Sequence, residues 1–151
     1  MSVLIQGDQL RTILEGVKVD RATALPAAGS LFTITGGRVL IKAIVGKVTT
    51  AVTVADAGTK LVYNPTATGA SVDLCAVLDL GTTDSAVGAY LTITGVVANA
   101  MRSTLLYATG RQAELILETG AIELSTGATD GSIAWTVLYV PLDNGASVVA
   151  A

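Results

Sequence analysis

Apolar and polar positions alternate with period two along most of this chain, the spacing of half-buried β-strands. The stretch "LFTIT" (31–35) reads as a strand, stops at Gly36-Gly37 and leads into a long one, "RVLIKAIVGKVTTAVTV" (38–54). Lys42 and Lys47 have opposite parity there, so a bulge or bend near Gly46 is needed for both to reach solvent. Further strands are predicted at "KLVYN" (60–64, ended by Pro65), "SVDLCAVLDL" (71–80), "AYLTITGVV" (89–97) and "STLLYA" (103–108). "AELILETGAIELS" (113–125) reads as a hairpin turning at Thr119-Gly120. "GSIAWTVLYVPL" (131–142) sets Ile133, Trp135, Val137 and Tyr139 on one face and Ala134, Thr136, Leu138 and Val140 on the other. Neither face is charged, which predicts a central strand covered on both sides.

Turn signals such as "DAG", "NPTATG", "TGATDG" and "DNG" separate these runs, the punctuation of a β-sandwich or barrel. Helical periodicity is confined to "GDQLRTILEG" (7–16), where Asp8 is a candidate N-cap; the same residues suit an extended arm. The pattern therefore predicts an all-β chain. It is read as a single antiparallel, jelly-roll-like β-sandwich domain over 21–142, with an N-terminal arm or short helix (1–20) and a C-terminal tail (143–151).

One local pattern occurs twice. "SLFTITGG" (30–37) is echoed by "AYLTITGV" (89–96). Duplication explains this, and so does convergence: Thr toward water, Ile toward the core and Gly ending the strand is a general strand-end solution. The sequences diverge at once after the echo, which favours convergence. Either way the two copies are expected as equivalent inward-pointing strands in two packed sheets.

Composition adds an assembly argument. The chain is 51% hydrophobic and 14% charged, with a mean hydropathy of +0.64. An average soluble domain is about 25% charged. No run of 18 apolar residues occurs, so a membrane span is not expected, and the N-terminus shows no basic segment followed by an apolar one, so neither is a secretory leader. The apolar excess points to surface buried against other chains. The net charge of −3 argues against nucleic acid as a partner. Residues 1–60 carry seven cations and four acids; residues 61–151 carry two cations and eight acids. Folding is expected to interleave the two halves.

Candidate chemistry is sparse. No histidine is present, which removes the commonest general base and metal ligand. The one cysteine, Cys75, permits no intrachain disulfide and reads as a small buried apolar residue. Asp73, Asp79 and Asp84 are the only plausible calcium cluster, yet Asp73 and Asp79 lie about 20 Å apart on an extended strand. They read as solvated strand-end residues, as do Glu114, Glu118 and Glu123 on the expected hairpin. Trp135 is centred in an apolar strand and reads as core, not as a sugar platform. No catalytic residue, cofactor, metal or small-molecule substrate is expected.

Several stretches together resemble small β-rich virion proteins of tailed bacteriophages, of the head decoration (cement) type. They are the lead-in "RATALPAAGS" (21–30), the strand pair "LFTITGGRVL", the middle segment "ATGASVDLCAVLDL" and the ending "YVPLDNGASVVAA", about half of the chain. The resemblance implies a non-enzymatic structural protein, made in the host cytoplasm and placed on the capsid exterior. It implies the major capsid protein as partner and self-association as a homotrimer. Many weak contacts would then add up across capsid subunits. Candidate contact residues are Val3, Leu4, Ile5 and Leu10 in the arm and Val148 and Val149 in the tail, both segments being apolar ends that a monomer would leave frayed. Arg38, Lys42 and Lys47 are the candidate basic capsid-facing patch. A tail or fibre component is the alternative in the same setting, and a carbohydrate- or ligand-binding sandwich the alternative from another class.

Overall fold

The computed structural model describes residues 7–24, 28–81, 86–105, 107–108 and 112–151. Helix α1 (Gly7–Glu15) precedes twelve strands: β1 (Val17–Ala24), β2 (Gly29–Thr35), β3 (Val39–Thr50), β4 (Asp56–Pro65), β5 (Val72–Asp73), β6 (Leu78–Leu80), β7 (Ala89–Thr92), β8 (Arg102–Leu105), β9 (Leu115–Leu117), β10 (Gly120–Ser125), β11 (Ser132–Pro141) and β12 (Ser147–Ala150). Every ladder between them is antiparallel, and they form two sheets. The first runs β1-β11-β3-β7-β8, with β9 on the same edge of β3 as β7 but at the other end. The second runs β12-β2-β10-β4-β5, with β6 also on β4. The chain is an all-β, sandwich-like domain, and its core lies between the inner faces. Trp135, Ile133, Ile41 and Ile44 fill it from one sheet and Phe32, Ile34, Leu61 and Ile122 from the other.

Strand β11 has neighbours on both edges, as its uncharged faces predict. Ile133, Trp135, Val137 and Tyr139 are buried, while Ala134, Thr136, Leu138 and Val140 are half-buried on the outer face. The parity conflict in β3 is resolved by a bulge. Pairing with β11 passes from Tyr139–Ile41 to Leu138–Ala43, so Lys42 and Ala43 together oppose one residue. Val39 and Ile41 point inward before the bulge, and Ile44 and Val48 after it. Lys42 and Lys47 both face outward as a result. The bulge sits at 42–43, not at Gly46. Gly46 instead leaves room for the core, since a Cβ there would lie 2.9 Å from the Trp135 ring.

The copies of the echo fall in different sheets, β2 and β7, but they are not equivalent strands: β2 runs through Ile34, whereas β7 ends at Thr92, which is itself buried. Ile34 and Ile93 are both buried. Gly36 and Gly95 take nearly the same left-handed φ, +76° and +79°. A Cβ would lie 2.2 Å from the Gly145 carbonyl oxygen in one copy and 2.3 Å from that of Ala113 in the other. One steric demand, a turn passing close against another backbone, selects glycine twice.

Four expectations are corrected. The stretch 113–125 is not a hairpin: β9 pairs with β3 in one sheet and β10 with β2 and β4 in the other. The chain crosses between sheets at Glu118–Thr119, which keeps Leu117 and Ile122 both facing the core. The stretch 71–80 is not one strand: it is broken into β5 and β6, which pair with β4 separately, and Leu74 and Cys75 are both buried in the bend between them. The strand expected over 89–97 ends at Thr92.

The fourth correction concerns the ends. Residues 17–20 do not belong to an arm: β1 pairs with β11 over its whole length, from Val17–Tyr139 to Ala24–Ser132. Nor is 143–151 a frayed tail, since β12 extends the second sheet beside β2 and buries Val148. Arg21 Nε donates to the Ala151 main-chain oxygen at 2.8 Å and ties the two edge strands together.

Candidate docking surface

The loops at both ends of the sandwich are clamped by carboxylates, Asp56 and Asp130 at one end and Asp143 at the other. Asp56 accepts hydrogen bonds from the Gly58 and Gly127 amides and from the Thr59 and Thr126 hydroxyls, at 2.7–3.0 Å. Burial pushes its pKa up, but these donors together hold it below the ordinary carboxylate range. Asp130 accepts from the amides of Thr53 and Val54 and from the Thr53 hydroxyl, which likewise hold its pKa down. Arg38 grips Asp143 with Nε and Nη2 at 3.0 and 2.8 Å, and its amide adds a bond at 2.7 Å. That guanidinium holds the Asp143 carboxyl down to about 2.

The candidate basic residues therefore do not form a free patch. Arg38 is committed to Asp143. Lys42 Nζ donates to the Leu14 carbonyl oxygen at 2.9 Å, and Lys47 sits over the Tyr90 ring, 5.6 Å from its centroid. Asp73 is ion-paired with Lys60. Asp84, Val3, Leu4 and Ile5 lie outside the described residues, as does the side chain of the candidate cap Asp8. Trp135 is 1% exposed and serves the core. Burial pushes the Cys75 thiol up, and its sulfur accepts from the Leu61 amide at 3.3 Å. Val148 is buried and closed to a partner, whereas Val149 is half-exposed on the edge strand.

Leu10, the one candidate arm residue among the described residues, is open to a partner, and it has company. Every described side chain of α1 is exposed, so the helix stands off the sandwich. Leu10, Ile13 and Leu14 are 48, 67 and 65% exposed and lie on one face at helical spacing. At the base of the helix, an open groove of about 720 Å³ runs between Leu14 and the outer face of the first sheet. Ala43 and Leu138 line it, with Lys42, Glu15, Glu114 and Gln112. Gln112 Oε1 accepts from the Ile44 amide at 3.0 Å, filling the gap on the edge of β3 between β7 and β9. The apolar surface continues along the cross-strand row Val140–Leu40–Ile116, where Ile116 is largely exposed.

Ile13, Leu14 and Ile116 were not among the residues that the sequence singled out. The first two carry a signal, the i, i+3, i+4 spacing with Leu10; Ile116 carries none, since a strand residue's face depends on which sheet it joins. In comparisons with family models, curated proteins and solved structures, the chain has no match.

Proposed function

We propose that this chain is a non-enzymatic structural protein that binds across the subunits of a bacteriophage capsid and stabilises the shell from outside, in the manner of a head decoration protein. The observation that carries the reading is helix α1, an amphipathic element exposed along its whole described length on a sandwich that is otherwise tightly clamped. Such a helix gains its stability from what it packs against, because isolated helices shorter than ~12–15 residues are marginal in water. The sequence resemblance supplies the setting, with the major capsid protein as partner and a homotrimer as the working unit. Multivalency supplies the strength: weak contacts at several capsid chains combine within one trimer.

The copy number of this chain in purified virions, measured against the major capsid protein, tests the proposal. A ratio near one to one, or one trimer per few capsid chains, is the expected result. A handful of copies per particle would overturn it in favour of a tail or fibre component, and absence from particles would return the binding-module alternative.

A further inference from the structure

Helix α1 offers an apolar stripe together with a charge pattern that completes itself. Arg11 and Glu15 lie beside Leu14 on the polar flank, and neither makes an ion pair with a described residue. We infer that α1 packs antiparallel against α1 of a second copy of this chain about a twofold axis. An axis at the level of Ile13 sets Arg11 of each copy opposite Glu15 of the other, giving two reciprocal pairs around the stripe. The same axis carries the first turn of the second copy's helix past Gly16 and over the groove at the helix base. There Ala43 and Leu138 form an apolar floor for the incoming Leu10, and Glu114 is a second carboxylate for the incoming Arg11. A helix of this sequence thus matches this surface in both apolar pattern and charge. A lipid surface fits less well: membrane-surface helices carry Lys/Arg-rich polar faces, and α1 has one cation.

The pairing does not depend on the decoration reading, and its failure would leave the virion copy number unaffected. It doubles whatever unit the sandwich otherwise forms. If that unit is a trimer on a threefold site, twofold contacts are those that lace neighbouring trimers together.

Sedimentation equilibrium on the full chain across a wide concentration range tests it. The wild-type mass should be twice that of Ile13→Asp, with the variant keeping the β-sheet circular dichroism and the cooperative unfolding of the folded sandwich. Arg11→Glu and Glu15→Arg should each give the smaller mass alone, and an equimolar mixture should recover the doubled mass, since each supplies the charge the other lacks. Equal masses for wild type and Ile13→Asp would overturn the pairing, as would a mixture that stays small. Vesicle binding lost in Ile13→Asp, with no change of mass in solution, would overturn it in favour of lipid.

Discussion

At the residue scale, three carboxylates fasten the fold, and one of them, Asp143, does so within an ion pair. Asp56, Asp130 and Asp143 each tie segments more than seventy residues apart, and each has its pKa lowered. A lowered carboxylate pKa means that the folded state binds its proton less readily than the unfolded one. The stabilisation is complete above the ordinary value of 3.8 and is lost as pH falls toward about 2. Thermal midpoints should therefore hold from neutral pH to about 5 and drop steeply below about 4. Asp143→Asn should lower the neutral midpoint and flatten that acid limb; a limb as steep as in wild type would show that Asp143 does not contribute to it. These clamps were not legible in the sequence. Each aspartate sits in an ordinary turn motif, and its donors come from remote loops.

At the element scale, β3 is the most instructive case. Two lysines of opposite parity in one apolar run required a bulge, and the alternating pattern alone announced it. Its position was not announced, because Gly46 looked the weaker point and is instead held by Trp135. The bulge makes a sharp prediction. Deleting Ala43 removes the extra residue and leaves Val39, Ile41, Ile44 and Val48 in phase, so that variant should keep a cooperative unfolding transition with a loss of about 1–2 kcal/mol. Deleting Val45 turns Lys47 inward and Val48 outward, and that variant should not fold to a native state. Denaturant unfolding of the two deletions decides the matter; similar behaviour would refute the phase argument. The strands that were misread share one cause. Alternation reports which face is buried but not which sheet a strand joins, so β9 and β10 read as a hairpin although they lie in different sheets. Strand β1 went unseen because Lys18, Asp20 and Arg21 mask its short pattern "VKVDRATA", and only its pairing with β11 makes it a strand.

At the scale of the whole molecule, residues 17–20 of the expected arm and the expected tail are woven into the sheets, while α1 stands off them and carries an exposed apolar stripe beside the groove. Removing residues 147–151 would strip β12 from β2, expose the edge residues opposite Val148 and Val149, and free Arg21 from Ala151. The truncated chain should lose several degrees of Tm and aggregate on heating, because a long apolar edge such as β2 templates pairing with other chains. Light scattering during a thermal ramp, with no rise relative to the full chain, would contradict this. The all-β class, the central place of β11 and the buried Trp135 were legible because each follows from patterning within one segment. The docking surface was legible only at Leu10 and Lys42, because exposure is a property of the assembled sheets. A mechanical consequence follows from how the helix is mounted. Gly16 joins α1 to β1 with no room for a side chain, a Cβ lying 2.5 Å from the Tyr139 carbonyl oxygen, so the elbow admits only glycine. A tug on α1 directed along β1 is borne in shear by all eight paired residues of the β1–β11 ladder together, and is not spent peeling them one by one. A neighbour that pulls on this handle pulls on the middle of the sandwich.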